Sequence, residues 1–275
     1  KRFRIIACEG SFHGRSLAAL AAAGNAKYLK GYAPDVEGFD HVPFGNLNEL
    51  RARIGPETAA ILVEPVQGEG GMRAHSKEYL QGLRKVADEF GLLLFFDEVQ
   101  CGMGATGRNW CCEHFDVLPD LMAFGKKAQV CGVMAGPRID EVKDNAFRLP
   151  SRLNSTWGGN FTDMVRSTHY LRIIEQERLV ENAGKVGAYF LDQLRDLQTE
   201  EPLISAARGC GVFLAFDLPD AKTREEFWHG FFDLGVLTLR SGENSIRFRP
   251  ALDITAEAID EAMELMRKFC RQRRT

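Results

Sequence analysis

Short apolar runs that end abruptly in polar residues recur through the first half of the chain. Leu92–Phe96 runs directly into Asp97, and Leu121–Phe124 ends at Gly125. Runs of this kind are typical of buried parallel strands whose carboxyl ends face a ligand-binding crevice. The other strands predicted in this half of the chain are Phe3–Cys8, Ala59–Val63 and Val133–Ala135.

Helical patterns lie between these strands. Ser76 is predicted to cap a helix whose apolar residues recur with the 3.6-residue period, and Gly91 is predicted to end it. The segment from Gly31 to Asn46 contains several glycines and prolines and is predicted to be irregular. Because strand, loop and helix alternate, we expect an α/β fold with a mostly parallel, doubly wound sheet. The remaining helices predicted here are Leu17–Ala23 and Leu47–Ile54.

The pattern changes in the last third of the chain. Two long amphipathic helices, Asp163–Glu177 and Leu179–Leu197, leave the sheet, and Pro202 breaks the second pattern. The remainder reads β-α-β-β-α, which predicts a small carboxyl-terminal α+β domain at residues 179–275, after a large domain at residues 1–178. Its predicted strands are Gly211–Leu218, Val236–Leu239 and Ile246–Arg249, and its helices are Ala221–Leu234 and Ala256–Cys270.

Composition narrows the class of protein. A hydrophobic fraction of 45% with 27% charged residues is ordinary for a globular protein, and 275 residues allow one large or two modest domains. The net charge of −3 and the lack of a long basic tract argue against a nucleic-acid partner. No apolar stretch is long enough to span a bilayer and no signal peptide opens the chain, so no membrane partner is expected.

The cysteines and the first residues add two expectations. Seven cysteines are odd in number and lack the spacing of a disulfide framework or a zinc site, so reduced thiols, no metal and a cytoplasmic location are expected. The first residue is Lys1, and the strand pattern begins at Phe3. We therefore expect the domain to begin upstream of Lys1, which would make this chain an amino-terminally truncated piece.

A carboxylate and an amine follow two of the predicted strands. Asp97 and Lys126 lie 29 residues apart and would occupy the tips of neighbouring strands. Such a pair suits pyridoxal phosphate (PLP), whose aldehyde needs a lysine and whose ring nitrogen needs an acid. The spacing alone leaves Lys127 as a rival to Lys126, and either lysine could be a solvated surface charge.

The strings around these residues carry a family resemblance. FFDEVQ followed by FGKK resembles the class-III (subgroup II) PLP-dependent aminotransferases of fold type I. The strings FGKKAQVCGVMAG and SRLNSTWGGN resemble the lysine ε-aminotransferases within that family, since Gln129 to Gly132 replace the usual Gly-Gly. The resemblance implies that Lys126 is the Schiff-base lysine, that Asp97 binds the ring nitrogen and that Gln100 binds the ring's phenolic oxygen. Without the resemblance, Gln100 is almost equally well interpreted as a loop amide that hydrogen-bonds to the backbone.

The string SFHGRS resembles the aromatic-His-Gly segment of the same family. The resemblance implies that Phe12 stacks on the cofactor ring and that His13 lies beside it. It also makes Arg15 the candidate for the substrate α-carboxylate, a task for which a planar guanidinium is suited. On composition alone, Phe12 would more often be a core residue, and Arg15 would often be a solvated surface residue.

Two further strings match family segments that supply the acid and the arginine of a substrate-dependent ion pair. EPVQGEGG matches a family segment with two acids, which makes Glu69 the switch carboxylate and Glu64 its structural neighbour. The partner implied for Glu69 is Arg247 in SIRFRP, with Arg249 as the competing arginine. The pair could mask the arginine for lysine and release it for the side chain of glutamate, because an unpaired buried arginine is costly.

The string NSTWGGN matches a family segment that contacts the cofactor phosphate across a dimer interface. It implies phosphate roles for Ser155 and Thr156 from a neighbouring subunit, with Asn154 near the substrate. An ordinary turn is the alternative, since these residue types favour turns. The family's Gly-Ser/Thr phosphate turn, which is expected upstream, has no match before Phe12.

The resemblance therefore implies an L-lysine 6-transaminase. It would be a PLP-dependent homodimer that moves the ε-amine of L-lysine to 2-oxoglutarate, giving 2-aminoadipate 6-semialdehyde and glutamate. Ornithine or 4-aminobutyrate transamination is the alternative within this class of enzyme. An inactive remnant that serves only as a binding module is the alternative from another class.

Overall fold

The computed structural model describes residues 1–32 and 34–274. Its strands are β1 (Arg4–Cys8), β2 (Phe39–Val42), β3 (Thr58–Val63), β4 (Val66–Gln67), β5 (Arg73–Ala74), β6 (Leu93–Asp97), β7 (Leu121–Phe124), β8 (Gly132–Ala135), β9 (Ser205–Cys210), β10 (Phe213–Asp217), β11 (Leu239–Ser241) and β12 (Ser245–Phe248). Its α-helices are α1 (Leu17–Ala22), α2 (Ala26–Leu29), α3 (Leu47–Arg53), α4 (Lys77–Phe90), α5 (Phe161–Gln176), α6 (Leu179–Glu200), α7 (Ala221–Asp233) and α8 (Ala256–Arg274).

Six strands form one sheet in the order β2-β1-β3-β6-β7-β8. Every neighbouring pair is parallel except β7 and β8, which are antiparallel. The apolar face of α4 packs Leu80, Leu83 and Val86 against Ile61 and Leu94 of the sheet. This confirms the α/β prediction and the mostly parallel sheet.

The ends of α4 follow the sequence signals closely. Ser76 Oγ accepts a hydrogen bond from the backbone N–H of Tyr79 at 3.2 Å, and Gly91 adopts the left-handed conformation with φ +63°. A hydroxyl satisfies an otherwise unpaired N–H at the start of a helix, and glycine enters the left-handed region without steric cost. Both helix boundaries were therefore predictable from single residues.

The prediction that Gly31 to Asn46 is irregular was wrong in part. This segment contains β2, which pairs with β1 at the edge of the sheet. Only Val42 of β2 is buried, and Asp40 faces Arg4 of β1 in a 2.8 Å ion pair. A half-exposed edge strand lacks the continuous apolar run by which the central strands are recognised.

The second sheet has four antiparallel strands in the order β11-β12-β10-β9. The sequence did not predict β9, and it placed the start of β10 too early, at Gly211. Gly211 instead lies in a turn at φ +54°, and a Cβ added to Gly187 of α6 would lie 2.0 Å from the Gly211 carbonyl oxygen. The pair of glycines lets α6 approach the β9–β10 turn closely. The strand predicted at Val236–Leu239 begins only at Leu239.

A second apolar core lies between this sheet and the last helices. It contains Leu194 of α6, Phe216 of β10, Phe231 of α7 and Met263 of α8, all fully buried. Side chains also link this region to the six-stranded sheet, including a hydrogen bond from Ser241 to the carbonyl of Gly68 at 2.6 Å. The division into domains at residue 178 stays a prediction.

Candidate active site

The carboxyl ends of β6 and β7 place the predicted acid and amine near each other. Asp97 pairs with Ala123 in the parallel register, and Lys126 follows three residues later. Lys126 has φ +46°, in the left-handed region. A lysine held there carries a backbone cost of roughly 1–2 kcal/mol, which is typical of functional segments.

Asp97 is almost fully buried and belongs to a small polar network. Its Oδ1 accepts a hydrogen bond from the N–H of Val99 at 3.1 Å, and its Oδ2 lies 2.8 Å from Nδ1 of His13. The other ring nitrogen of His13, Nε2, is buried without a hydrogen-bond partner in the part of the chain that the structure describes. His13 therefore orients the carboxylate of Asp97.

The two adjacent lysines have different environments. Nζ of Lys127 donates to the carbonyl of Pro250 at 2.8 Å, and burial lowers its pKa to about 8. Nζ of Lys126 has no hydrogen-bond partner within residues 1–32 and 34–274. Partial burial and the charge of Arg249 lower the pKa of Lys126. Both lysines line a cavity of about 310 Å³. The free amine is therefore that of Lys126, as the nucleophile assignment requires.

Glu69 and Arg247 form the ion pair that the switch hypothesis requires. Nη2 of Arg247 lies 2.9 Å from Oε1 of Glu69, and the Arg247 side chain is only 5% exposed. Gln100 bridges the pair, because its Oε1 accepts from Arg247 at 3.0 Å and its Nε2 donates to Glu69 at 3.3 Å. A Cβ at Gly68 would lie 2.6 Å from Oε1 of Gln100, so a larger residue there would displace the Gln100 amide. The contact of Gln100 with a cofactor stays a prediction.

Arg15 lies against two aromatic rings. Its guanidinium carbon is 5.3 Å from the ring centroid of Phe12 and 4.6 Å from that of Tyr28, and the two rings meet edge to face at 5.6 Å. These contacts attract a cation and hold the long side chain of Arg15 in place. Burial raises the pKa of Tyr28, with a further contribution from Glu69. Sequence reasoning missed Tyr28, because a single tyrosine in a short helix carries no motif.

Glu64 ties two loops of the site together. Its Oε1 accepts from the N–H of Phe12 at 2.8 Å, and its Oε2 accepts from the N–H of Gly68 at 3.2 Å. It is 2% exposed, and burial raises its pKa to about 7. Glu64 therefore fixes the segment of Phe12 relative to the loop that carries Glu69, in keeping with its assignment as a structural neighbour.

The segment predicted to contact phosphate lies apart from this network. Asn154, Ser155 and Thr156 are exposed, and no hydrogen bond joins their side chains to Asp97 or Lys126 in the described parts of the chain. Their predicted roles require a second subunit and therefore stay predictions.

Comparison with known proteins identifies the family. The family described as Aminotransferase class-III matches residues 1–270. The chain belongs to this family. The L-lysine-epsilon aminotransferase of Mycobacterium tuberculosis is 41% identical over 284 residues, which cover 96% of this chain and 63% of that protein. The Streptomyces clavuligerus enzyme of the same name is 38% identical, with the same coverage. The chain thus spans less than two thirds of the length of these relatives.

Further comparisons bear on fold and specificity. The solved structure described as lysine aminotransferase from M. tuberculosis in the internal aldimine form superposes with a TM-score of 0.94 at 38% identity, covering 98% of this chain and 66% of that one. The fold-type-I prediction is therefore confirmed. An acetylornithine aminotransferase from Brucella melitensis is also 38% identical, over 96% of this chain and 65% of that protein.

Family membership and the internal aldimine structure of the mycobacterial relative indicate PLP as the cofactor of this class-III aminotransferase chain. The described residues fit the reactive end of PLP, since Lys126 offers a free amine and Asp97 a buried carboxylate. The unpaired Nε2 of His13 and Nε of Arg247 are buried polar atoms that could meet a bound polar group. Contact of Ser155 and Thr156 with the phosphate stays a prediction.

Residues 1–32 and 34–274 contain neither a membrane-spanning helix nor a metal-binding cluster. No helix there has the length and apolar character needed to cross a membrane. No cluster of three or more His, Cys, Asp or Glu side chains there could hold a metal ion.

The environment of Glu98 predicts that the free energy of unfolding of this chain depends on pH. Its two carboxylate oxygens accept from the N–H groups of Cys111 and Cys112 at 2.6 and 2.8 Å, and burial raises its pKa to about 7. The folded state therefore keeps the proton of Glu98 up to about pH 7, whereas the unfolded state releases it near pH 4.5. The stabilisation of the folded state by this bound proton is lost as the pH rises towards 7. We expect Glu98→Gln to remove up to about 3 kcal/mol of the difference in unfolding free energy between pH 5 and pH 7.5.

Urea unfolding at the two pH values measures this difference. Glu264→Gln, a change at an exposed glutamate of α8, is the matched control and should keep the wild-type difference. A Glu98→Gln variant whose stability difference equals that of the wild type would show that Glu98 is already ionised at pH 5.

Proposed function

We propose that the protein is a PLP-dependent L-lysine 6-transaminase. It would transfer the ε-amine of L-lysine to 2-oxoglutarate and release 2-aminoadipate 6-semialdehyde and glutamate. The observation that carries this proposal is the amine of Lys126, which borders the 310 Å³ cavity and has no hydrogen-bond partner among the described residues. The amine of the neighbouring Lys127 is instead bound to the carbonyl of Pro250. The 41% identity to a mycobacterial L-lysine-epsilon aminotransferase supports the choice of substrate.

Each residue around the cofactor would have a separate role in the reaction. Bound PLP supplies an aldehyde that accepts the amino group and a ring that holds the electron pair left when a C–H bond breaks. Lys126 would hold the cofactor and then move the proton at the substrate carbon through its Nζ. Asp97, oriented by His13, would keep the ring nitrogen protonated. Phe12 would cover one face of the ring.

Two arginines would give the substrates their orientation. Arg15, held by Phe12 and Tyr28, would bind the α-carboxylate of lysine through paired N–H groups. Glu69 neutralises Arg247 when the apolar chain of lysine occupies the pocket. When a dicarboxylate binds, Glu69 would leave and Arg247 would contact the second carboxylate, so that neither charge remains buried and unpaired.

A homodimer is part of the proposal. Ser167 is the one residue of α5 that is buried, whereas Phe161 and Val165 are 88% and 58% exposed and the nearby Trp157 is 76% exposed. An apolar surface of this extent suits a protein interface. A second subunit there would bring Ser155 and Thr156 to a phosphate. The cytoplasmic location stays a prediction.

Steady-state assays test the substrate assignment. Acetylornithine is the second candidate, because the Brucella acetylornithine aminotransferase matches the chain at 38% identity. With 2-oxoglutarate as acceptor, we expect kcat/KM for L-lysine to exceed that for acetylornithine, ornithine and 4-aminobutyrate by at least about tenfold. A higher value for any other donor would overturn the lysine assignment. No turnover with any donor would favour the binding-module alternative.

A further inference from the structure

A second cavity, of about 410 Å³, lies against the short hairpin formed by β4 and β5. Residues of β9 and β10 also line it, so it lies between this hairpin and the second sheet. Its lining differs from that of the cavity at Lys126. We call it the hairpin cavity, and its lining includes Phe44, Met72, Arg73, Arg208, Cys210 and Phe213.

Arg73 is an exposed arginine at the hairpin cavity whose N–H donors are unused. Its guanidinium carbon lies 4.0 Å from the ring centroid of Phe44. No hydrogen bond or ion pair joins the Arg73 side chain to another group within residues 1–32 and 34–274. A guanidinium placed over an aromatic ring keeps the N–H groups at its edge available for an acceptor. Arg73 can therefore receive an anion without breaking an existing contact.

A stack of aromatic side chains holds the ring beneath Arg73. Phe44 stacks on His75 with centroids 4.0 Å apart and planes 18° from parallel, and His75 stacks on Tyr79 of α4 at 4.6 Å and 17°. His75 is 3% exposed, and burial lowers its pKa to about 3, so the imidazole in the stack is neutral. The platform for Arg73 is therefore preorganised, and little side-chain freedom is lost when a ligand binds.

Arg208, the other arginine of the hairpin cavity, is already engaged. It donates to the carbonyls of Gly71 and Met72, the latter at 3.2 Å, and its Nη2 lies 2.7 Å from Oδ1 of Asp217. Burial raises the pKa of the Cys210 thiol to about 12, so this lining group carries no negative charge that would compete for Arg73. Among the described lining residues, the available cation is therefore Arg73.

We propose that the hairpin cavity binds a small aromatic monocarboxylate, whose carboxylate pairs with Arg73 and whose ring packs against Met72 and Phe213. These two residues belong to a buried apolar cluster. An apolar wall with one well-placed polar group, in a cavity of this volume, is typical of small-molecule sites. One guanidinium matches one carboxylate through two parallel N–H bonds. The site is separate from the transamination chemistry and does not depend on the proposed function.

Titration calorimetry on the purified, PLP-loaded protein tests the proposal. Indole-3-acetate is the aromatic monocarboxylate, indole-3-acetamide lacks its charge, and acetate lacks its ring. We expect indole-3-acetate to bind at least about tenfold more tightly than either of the others, because it alone meets both the guanidinium and the apolar wall. Arg73→Met should weaken indole-3-acetate binding at least about tenfold, whereas Arg73→Lys, which keeps the charge without the paired donors, should weaken it less.

Arg51→Met is the matched control. Arg51 is likewise an exposed arginine over an aromatic ring, with its guanidinium carbon 5.5 Å from the centroid of Phe90, but it is paired with Glu89. This variant should bind indole-3-acetate as the wild type does. If Arg73→Met does not fold, Arg73→Gln tests the same expectation.

Three results would overturn the proposal. The first is an absence of indole-3-acetate binding by the wild type up to about 5 mM. The second is equal affinity for indole-3-acetate and one of the two partial probes. The third is binding by the folded Arg73 variant within about twofold of the wild type, which would place the probe elsewhere on the protein. Because every readout is an affinity, the outcome is independent of whether the protein turns over lysine.

Discussion

Replacing Lys126 with alanine is expected to reduce the transamination of lysine by at least about 10⁴-fold, because one amine serves as both covalent anchor and proton carrier. The adjacent Gly125 and Lys127 cannot replace it. Gly125 has no amine, and the amine of Lys127 is already bound to the carbonyl of Pro250. Steady-state turnover with lysine and 2-oxoglutarate measures the loss.

The matched control is Lys127→Ala, which changes the neighbouring amine in the same cavity. It should lose no more than about tenfold in turnover, since its hydrogen bond to Pro250 positions a loop. Borohydride reduction followed by peptide mapping adds an independent readout, with the cofactor expected on residue 126 in the wild type and in the control. Retention of a borohydride-fixed cofactor by Lys126→Ala would show that another lysine is the anchor.

The central part of the fold could be predicted because it depends on local patterns. The apolar runs that became β6 and β7 are continuous, and parallel neighbours have their carboxyl ends at one edge of the sheet. That geometry alone brings Asp97 near Lys126. The choice of Lys126 over Lys127 required the family resemblance, because both lysines follow the same strand and spacing does not distinguish them.

The features that sequence reasoning missed depend on contacts between distant segments. The edge strands β2 and β9 have mixed polarity and are held by their neighbours rather than by their own pattern. The position of Tyr28 over Arg15 joins residues of two different helical and loop segments. Residue alternation placed Arg247 and Arg249 on one face, which is correct as far as both contact Gln100. It could not show that Glu69 pairs with one arginine and leaves the other free.

Asp97→Asn is expected to lower kcat for lysine on the order of 10³-fold. An amide has nearly the size of the carboxylate but cannot stabilise a positive charge on a ring nitrogen, and charge stabilisation in a buried site has effects of this magnitude. The variant also replaces a charged acceptor of the hydrogen bond with His13, whose other nitrogen has no partner among the described residues. Stopped-flow measurement of the half-reaction with lysine separates this loss from any change in binding.

Glu98→Gln supplies the control for Asp97→Asn because it alters the adjacent buried carboxylate by the same chemistry. Glu98 accepts its hydrogen bonds from the backbone of Cys111 and Cys112, on the other side of the strand from His13 and Asp97. Its replacement should cost stability while the folded fraction retains turnover within about tenfold of the wild type. If Asp97→Asn retained the same share of turnover as Glu98→Gln, Asp97 would be a structural carboxylate, and the acid required opposite Lys126 would have to be sought elsewhere in the site.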